Sequence, residues 1–284
     1  MQAKIETVKV LLEAIPFIQR FAGETIVIKY GGAAQTDERL KEMVARDIVL
    51  LSLVGIRVVV VHGGGKSIDK MLEALDIHSE FRDGYRVTSK EAMRIVEMVL
   101  SGEINNEIVS LLNYHGARAI GLDGKAVGFL KATPKSGGAY GYTGDVSHVN
   151  PEIIDKLLNE KIIPVIAPIA AGDELGHPGF NINADLAASA IAGALGATKI
   201  LFMTDTPGVL DKEKRLISTL TPTRINELKH NGTISGGMIP KVDACLEALH
   251  AGVEKAHIID GRIEHAILLE LFTDEGIGTQ IMSE

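Results

Sequence analysis

Two glycine turns that follow aliphatic segments are the first candidates for chemistry in this sequence. Lys29 and a glycine dipeptide at 31–32 end the segment "TIVIKYGG", and a glycine triplet at 63–65 ends "VVVVHGGG". Peptide N–H groups without side chains nearby can approach an anion closely, and the N-terminus of a following helix adds a favourable dipole. Because parallel strands end at the same edge of a sheet, the two turns predict adjacent anion sites for a substrate with several negative groups.

The second turn resembles a P-loop but departs from it at the first glycine. The Walker A pattern G-x-x-x-x-G-K-[ST] fits Gly65, Lys66 and Ser67, but it requires a glycine where the sequence has Val60. A β-branched residue within a strand cannot begin the wide loop that surrounds a β-phosphate. We therefore favour a tight turn before a helix that begins near Ser67. A P-loop, and a turn of purely conformational origin, stay as alternatives.

Short aliphatic runs alternate with longer segments of helical periodicity along the chain. The predicted strands are 25–30, 56–61, 161–167, 199–204 and 255–260. The predicted helices are 36–55, 89–113, 183–196 and 238–252. Hydrophobic strands separated by helices predict an α/β fold with an open, mostly parallel central sheet in an αβα sandwich. Residues 118–149, rich in glycine and short alternating runs, predict β-hairpins over the main sheet that form a lid or edge element.

The composition argues against several classes of protein. A chain of 284 residues, 46% of them hydrophobic, can bury a substantial core, and a net charge of -8 without a basic run argues against a nucleic-acid partner. The single Cys245 cannot form an intrachain disulfide, and no apolar run reaches the roughly 18 residues of a membrane span. Glu6 and Glu13 interrupt the N-terminal segment, so we expect a cytoplasmic protein without a secretory signal. The nine histidines lack ligand spacing, which argues against a protein-held metal.

Four further segments complete a family pattern: "GYRVTSKEAM", "NINADLAA", "MTDTPGVL" and "ISGGMIPKVDA". With the two glycine turns, and in this order, they resemble the acetylglutamate kinases of the amino-acid kinase family. The resemblance implies the amino-acid kinase fold and transfer of the γ-phosphoryl group of Mg-ATP to the γ-carboxylate of N-acetyl-L-glutamate, the second step of arginine biosynthesis. It also implies ATP with Mg²⁺ as partners, an acetylglutamate-binding lobe at 23–197 and an ATP-binding lobe at 198–284.

The resemblance assigns roles to residues of this chain. Lys29 and Lys241 match the two lysines that contact the transferred phosphoryl group, and Asp185 matches the aspartate that holds both lysines. The residues implied to bind the acceptor are Gly64, Gly65, Arg86, Asn181 and Asn183, with Arg86 on its α-carboxylate. The residues implied to bind the nucleotide are Gly31, Gly32, Asp205, Gly208, Val209, Leu210, Gly236, Gly237 and Met238. Lys66 and Tyr30 depart from the family pattern, in which a small residue and a leucine or phenylalanine are usual.

This set of residues suits phosphoryl transfer to a carboxylate. The nucleophile is already ionised at pH 7, so no general base is needed, and the difficulty is to bring two anions together. Lysines, glycine amides and helix N-termini neutralise that charge. Each residue also has a structural alternative: Lys29 as a strand lysine that reaches solvent, Asp185 as a helix-start residue and Arg86 as a surface ion pair.

An apolar stripe precedes the first strand. Ile5, Val8, Leu11, Leu12 and Ile15 share one face of a predicted helix at 1–22 that the α/β core does not require. The stripe either packs on its own domain or contacts another subunit. In the resembling family such a helix accompanies hexamers that arginine inhibits, and "GIGTQI" near the C-terminus resembles the segment near the inhibitor site. The resemblance thus implies a hexamer, as a trimer of dimers, with L-arginine as feedback inhibitor.

The sequence leaves other functions open. A sibling kinase could act on glutamate, aspartate, UMP, carbamate or a carrier-protein-linked amino acid, because the family shares its nucleotide half. A non-catalytic arginine-sensing subunit could use the same fold, and a P-loop NTPase would depend on Lys66. Arg86 with the paired asparagines favours acetylglutamate, whereas intact Lys29, Asp185 and Lys241 favour an enzyme.

Overall fold

The computed structural model describes the backbone of residues 1–284 and every side chain except those of residues 2–4, 6, 7, 10 and 11. The helices are α1 (Gln2–Phe21), α2 (Glu38–Leu53), α3 (Gly65–Ala74), α4 (Lys90–Glu97), α5 (Asn105–Tyr114), α6 (Glu152–Asn159), α7 (Ala184–Ala194), α8 (Pro222–His230), α9 (Met238–His250) and α10 (Ala266–Leu271). The strands are β1 (Thr25–Tyr30), β2 (Arg57–His62), β3 (Glu80–Arg82), β4 (Tyr85–Val87), β5 (Ala119–Asp123), β6 (Leu130–Pro134), β7 (Thr143–Val149), β8 (Ile163–Ala167), β9 (Ile169–Ala170), β10 (Phe180–Ile182), β11 (Lys199–Thr204), β12 (Thr219–Leu220), β13 (Lys255–Asp260) and β14 (Thr279–Met282). The segments Gly32–Gln35, Ala126–Gly128 and Lys135–Gly138 are short 3-10 turns, and Met98–Ile104 is a π-helical segment.

An eight-stranded sheet runs through the molecule in the order β12-β14-β13-β11-β1-β2-β8-β5. Every pairing in it is parallel except that of β13 with β14. Strands from residues before 197 form one half of the sheet and strands from later residues form the other. The two halves meet where β1 pairs with β11. The predicted α/β fold with a mostly parallel central sheet is confirmed.

Side chains of the central strands alternate between the two faces of this sheet. Ile26, Ile28 and Val60 pack in a core that also contains side chains of α2, α4 and α5. Val27 and Val59 pack on the opposite face, in a core that contains side chains of α6, α7, α8 and α9. Because both faces bury aliphatic side chains, helices must cover the sheet on both sides. The result is the expected αβα sandwich.

The region 118–149 departs from its predicted role as hairpins over the sheet. Residues 130–149 do contain an antiparallel hairpin, β6 with β7, in a second sheet of order β6-β7-β10-β9. The prediction is wrong for β5, which pairs parallel with β8 at the edge of the main sheet. Strand β8 is buried along its whole length, and β5 covers the edge that would otherwise expose its backbone groups.

The N-terminal helix combines an exposed stripe with an anchored end. Ile5, Val8, Leu12 and Ile15 are between 41% and 58% exposed, whereas the side chain of Leu11 lies outside the described residues. At the C-terminal end of this helix, Phe21 is buried in the core that contains Ile26 and Ile28. Of the helices in the described part of the chain, none has the length and apolarity needed to cross a bilayer.

Candidate active site

The two glycine turns lie side by side at the carboxyl edge of the sheet. Strands β1 and β2 are parallel neighbours, with Tyr30 aligned to His62. The N–H of Gly63 donates to the carbonyl of Tyr30 at 3.0 Å, and the side-chain amide of Gln35 donates to the carbonyl of Gly63 at 3.2 Å. Val60 is buried within β2, and α3 begins only three residues after that strand. The second turn is therefore a tight strand-to-helix turn and not a Walker A loop.

A cavity of about 820 Å³ lies over the two turns. Its walls contain the predicted residues Lys29, Gly31, Gly32, Gly64, Gly65, Arg86, Asn181 and Asn183. An apolar wall is formed by Val44, Ile48, Leu100, Ile104, Ile108 and Leu112. A cavity that joins cationic and amide groups to an aliphatic wall suits a small ligand with both anionic and apolar parts.

Lys29, Asp185 and Lys241 form a charged cluster beside this cavity. Lys29 projects from β1, and its Nζ lies 2.8 Å from Asp185 Oδ1 in the first turn of α7. Lys241, in the first turn of α9, has its Nζ 4.0 Å from Asp185 Oδ2. A Cβ atom at Gly31 would stand 2.7 Å from Lys29 Nζ, so a glycine there leaves room for the ammonium group. One carboxylate thus holds two ammonium groups that come from distant parts of the sequence.

The charges of this cluster affect the pKa values of Asp185 and Lys241. Burial opposes ionisation of Asp185, but the charges of Lys29 and Lys241 and the hydrogen bond from Lys29 outweigh burial and lower the pKa of this carboxyl group. Burial lowers the pKa of Lys241, and the positive charge of Lys29 acts in the same direction, while Asp185 opposes both. Two cations around one anion leave positive charge for an incoming phosphate group.

Asn181 and Asn183 belong to the cavity wall and form hydrogen bonds with residues next to it. Asn183 is the N-cap of α7, and its side-chain oxygen accepts from the N–H groups of Asp185 and Leu186 at 2.9 and 3.2 Å. This cap fixes the first turn of α7 and with it the carboxylate of Asp185. Asn181, in β10, donates its side-chain amide to Thr88 Oγ1 at 3.2 Å.

Arg86 lies on β4 with its side chain only 5% exposed. Its guanidinium contacts Asp69 Oδ1 of α3 at 2.7 Å and donates to Ser79 Oγ. The ring of Phe81 lies 4.6 Å from the guanidinium carbon. These contacts orient the planar guanidinium, which has five N–H donors. Asp69 and Ser79 accept from only some of them.

The predicted nucleotide residues beyond the first turn lie outside the cavity wall. Asp205 follows β11, and its carboxylate accepts from the N–H of Ala33 in the first glycine turn. Val209 is buried, and its N–H donates to Thr279 Oγ1 at 2.8 Å, so this N–H is already engaged. Gly237 is the N-cap of α9, the helix that carries Lys241. The segments 205–210 and 236–238 line none of the 820 Å³ cavity, and their contact with a nucleotide stays a prediction.

Several residues in the cavity wall or in contact with it had no signal in the sequence. Asp69 holds Arg86, and Lys41 pairs with Glu38 at 2.8 Å and with Glu107. The spacing of Glu38 and Lys41 predicts only a surface pair on a helix, and nothing in the sequence connects Asp69 with Arg86. Lys66, which departs from the family pattern, is exposed at the cavity wall.

The sequence of this chain is similar to those of known proteins. The model of the amino acid kinase family matches residues 24–260. Acetylglutamate kinases of a Nitratiruptor species and of Sulfurimonas denitrificans are each 64% identical to this chain, over 99% of both chains in each pair.

Solved structures share the architecture. An N-acetylglutamate synthase from Neisseria gonorrhoeae has a TM-score of 0.87 and 25% identity over 98% of this chain, which spans only 63% of the synthase chain. A carbamate kinase from Giardia lamblia, 19% identical, has a TM-score of 0.70 over 93% of this chain and 99% of its own, which supports the fold alone. The family model matches most of this chain, and the two acetylglutamate kinases resemble it over nearly their whole length. The chain therefore belongs to the amino acid kinase family.

Proposed function

We propose that this chain transfers the γ-phosphoryl group of Mg-ATP to the γ-carboxylate of N-acetyl-L-glutamate. The observation that carries the proposal is the Lys29–Asp185–Lys241 cluster beside a cavity that also contains Arg86. The name acetylglutamate kinase of relatives 64% identical over 99% of both chains supports the same acceptor. The products are N-acetyl-L-glutamyl 5-phosphate and ADP, in the second step of arginine biosynthesis and in the cytoplasm.

The reaction requires charge neutralisation more than proton transfer. An oxygen of the γ-carboxylate attacks the γ-phosphorus, the new O–P bond forms, and the bond from phosphorus to the β,γ-bridging oxygen breaks, leaving ADP with the electron pair. No proton has to move. Lys29 and Lys241 neutralise the phosphoryl oxygens, and Asp185 keeps their ammonium groups at fixed positions. Mg²⁺ bound to ATP would neutralise phosphate charge, and no residue of this chain is assigned to it.

We also propose that the two halves of the chain divide the substrates, with the acceptor bound by residues 23–197 and ATP by residues 198–284. Every residue in the wall of the 820 Å³ cavity comes from positions 29 to 184. Lys241, from the second half, reaches Asp185 of the first half. Phosphoryl transfer then takes place where the halves meet.

A panel of acceptors tests this function directly. The purified protein is supplied with Mg-ATP and with N-acetyl-L-glutamate, L-glutamate, L-aspartate, carbamate or UMP, and ADP release is measured together with trapping of the acyl phosphate by hydroxylamine. We expect turnover with N-acetyl-L-glutamate and hydroxamate formation. Preference for any other acceptor would identify a sibling kinase, and ADP release from none would favour a regulatory subunit.

Replacement of Arg86 by Gln is expected to raise KM for N-acetyl-L-glutamate by about 10- to 100-fold, because a charge-assisted hydrogen bond contributes about 1.5–3 kcal/mol. The kcat value should change little, since the α-carboxylate does not react. Arg82→Gln is the matched control, because Arg82 lies on the same hairpin but is half exposed and paired with Glu80 at 3.1 Å. Equal changes of KM in the two variants would contradict the role of Arg86.

A second cavity, of about 610 Å³, lies between the C-terminal end of α1 and parts of the chain between residues 199 and 280. It contains the buried carboxylate of Glu270, which accepts from the N–H groups of Ile277 and Gly278 at 2.7 and 3.0 Å and contacts His257 Nδ1 at 2.6 Å. Burial would raise the pKa of Glu270, but His257 and the two backbone donors outweigh burial and lower the pKa.

The same cavity contains buried positive charge. Burial, assisted by the charges of Lys255 and Arg20, lowers the pKa of Lys199 to about 8. A site with both a buried carboxylate and a buried ammonium group suits a ligand that carries a carboxylate and a guanidinium. We therefore propose this cavity as the site at which L-arginine inhibits the enzyme.

Lys199→Met should raise the arginine concentration for half-inhibition by about 10- to 100-fold, because it removes the cation for the ligand carboxylate. Turnover without arginine should stay close to that of the wild type, since Lys199 lies outside the catalytic cavity. Lys212→Met, at an exposed position, is the control. Unchanged arginine sensitivity in Lys199→Met would remove this cavity as the inhibitor site.

The exposed apolar stripe of α1 supports a contact between subunits, and we propose a hexamer built as a trimer of dimers. Leu12→Asp places a charge on a residue that is 58% exposed in the single chain, and we expect it to reduce the hexamer to dimers in light scattering after size exclusion. Gln19→Asp, at an exposed polar position of the same helix, should leave the hexamer intact. A wild-type dimer that arginine leaves unchanged would contradict the proposal.

A further inference from the structure

Two fully or nearly fully buried polar side chains support the second glycine turn without lining the cavity. His62 is the last residue of β2 and is 0% exposed, and Asn105 is the first residue of α5 and is 3% exposed. Neither belongs to the cavity wall. Asn105 Nδ2 lies 3.1 Å from His62 Nε2. Buried polar groups of this kind are retained where their hydrogen bonds fix an arrangement.

The hydrogen bonds of Asn105 determine which nitrogen of His62 carries the proton. Asn105 Nδ2 lies 2.9 Å from the carbonyl oxygen of Val165, which can only accept, so this atom is the amide nitrogen. Its second hydrogen points to His62 Nε2, which must therefore accept. The imidazole proton then lies on Nδ1, which donates to the carbonyl of Gly63 at 2.9 Å. Burial also lowers the pKa of His62 to about 4, which keeps the ring neutral at physiological pH.

The helix that carries Asn105 fits tightly against its surroundings. The side-chain oxygen of Asn105 occupies the space that a Cβ at Gly121 of β5 would take. The π-helical segment before Asn105 brings Leu100 and Ile104 over Gly64, where they occupy the space of a Cβ there. A π-helical segment changes the angular position of the residues that follow it, and such segments are frequent at functional sites. Here one helix contacts both the histidine and the glycine turn.

Gly63 is held at both of its backbone groups. Its carbonyl accepts from His62 Nδ1 and from Gln35 Nε2, and its N–H donates to Tyr30. The next two residues, Gly64 and Gly65, line the cavity at the start of α3, where N–H groups have no partner within the helix. The orientation of the Gly63 peptide therefore determines where the following N–H groups point.

We propose that His62, held by Asn105 in its Nδ1-protonated neutral form, fixes the carbonyl of Gly63 and thereby aims the N–H groups of the second glycine turn at the acceptor. His62 and Asn105 are positioning residues, because they touch neither the cavity nor the reacting atoms. The proposal rests on the proposed function, in which this turn binds the acceptor. It predicts that their replacement affects acceptor binding more than ATP binding.

Two substitutions of His62 separate its two nitrogens. In His62→Asn the side-chain amide nitrogen takes the position of the histidine Nδ1, so it can still donate to the carbonyl of Gly63. In His62→Gln the amide nitrogen takes the position of Nε2 and cannot reach that carbonyl. We expect His62→Gln to raise KM for N-acetyl-L-glutamate by about 10- to 100-fold, because small displacements of binding groups have effects of this size. His62→Asn should stay within about threefold of the wild type, and KM for ATP should change little in either variant.

Asn105→Leu and Asn113→Ala extend the test to the partner residue. In Asn105→Leu no donor faces His62 Nε2, so the form protonated at Nδ1 is no longer selected, and we expect a rise in KM for the acceptor in the same direction as in His62→Gln. Asn113 lies on the same helix and bonds only to the backbone of Ala119, at 2.7 and 3.1 Å, so its replacement should leave both KM values unchanged.

Nitrogen NMR of the labelled wild-type protein provides a readout that does not depend on activity. The resonances of His62, identified by their loss in His62→Gln, should be those of a neutral ring protonated at Nδ1 and should not titrate between pH 8 and about 5.5. A ring protonated at Nε2, or one that titrates near pH 6.5, would overturn the proposal.

The kinetic outcomes distinguish this proposal from the proposed function. Absence of turnover with N-acetyl-L-glutamate in the wild type would overturn the function itself and with it the role of the turn. Normal wild-type turnover, together with an unchanged KM in His62→Gln or an equal rise in the KM of both substrates, would overturn the positioning role alone.

Discussion

Lys29→Met is expected to lower kcat by about 10²- to 10³-fold, the range found when one preorganised charge or donor is removed from a transition state. Methionine keeps most of the length of the side chain but removes the ammonium group that lies 2.8 Å from Asp185. That charge is needed most when phosphoryl and carboxylate oxygens approach each other, so kcat should fall more than ATP affinity. Coupled ADP release measures kcat, and titration calorimetry measures ATP binding.

Lys66→Met is the matched control for this prediction. Lys66 lines the same cavity and has the same chemistry, but it is exposed and follows the glycine turn at which a P-loop would place its essential lysine. We expect its kcat and ATP affinity to stay within about threefold of the wild type, as for most exposed side chains. Loss of ATP binding in Lys66→Met with normal turnover in Lys29→Met would instead support the P-loop alternative.

Asp185→Asn should affect both activity and stability. The substitution keeps the shape of the side chain but leaves the ammonium groups of Lys29 and Lys241 without the carboxylate between them. Breaking an ion pair that is largely buried reduces the free energy of unfolding by about 3 kcal/mol. The two lysines would also lose their common anchor, so kcat should fall by about 10²-fold or more.

The stability effect of Asp185 has a defined dependence on pH. Its pKa in the folded protein lies below the value of 3.8 expected for a free side chain, so the ionised form contributes stability above that pH. This contribution is lost as the pH falls through the lower folded pKa. Urea denaturation should therefore give a constant difference between wild type and Asp185→Asn from pH 8 to about 5, and a smaller difference below pH 4.

Asp243→Asn is the control for both measurements. Asp243 lies on α9 near Lys241, but its half-exposed carboxylate contacts Lys229 outside the site. A surface pair of this kind contributes about 0–1 kcal/mol, so stability and kcat should both change little. If Asp185→Asn were as active and as stable as Asp243→Asn, the carboxylate would have neither role.

The sequence predicted best those elements that are buried on both faces. The bounds of β1, β11 and β13 agree with the expected strands, because their near-continuous aliphatic residues have no other arrangement that buries them. Elements that depend on a neighbour were less predictable. Strand β5 contains Gly121 and belongs to the main sheet because it covers β8, and no local pattern carries that information.

The predicted helix at 89–113 shows a second limit. Its apolar periodicity correctly indicated helix, but the structure divides it into α4, a π-helical segment and α5. In that segment Leu100 and Ile104 pack on Gly64, and no local sequence pattern indicates such a contact between residues far apart in the chain.

Only part of the candidate site could be predicted from the spacing of residues in the sequence. The two glycine turns were predicted from the pattern of strands and glycines, since both follow aliphatic strands. The joining of Lys29, Asp185 and Lys241 was not, because these residues lie on β1, α7 and α9 and only the family resemblance related them. Asn105, whose partners His62 and Val165 are 43 and 60 residues away, had no sequence signal at all.

The pairing of β1 with β11 has a consequence for synthesis on the ribosome. Ile26 aligns with Lys199, so the edge of β1 that later pairs with β11 emerges long before its neighbour. At a rate of 5–20 residues per second, roughly 9 to 35 seconds pass between the translation of the two strands. During that interval an aliphatic strand in the middle of the future sheet has unpaired backbone groups along one edge. Nascent chains should then be prone to aggregation and should gain from chaperones until β11 has left the exit tunnel.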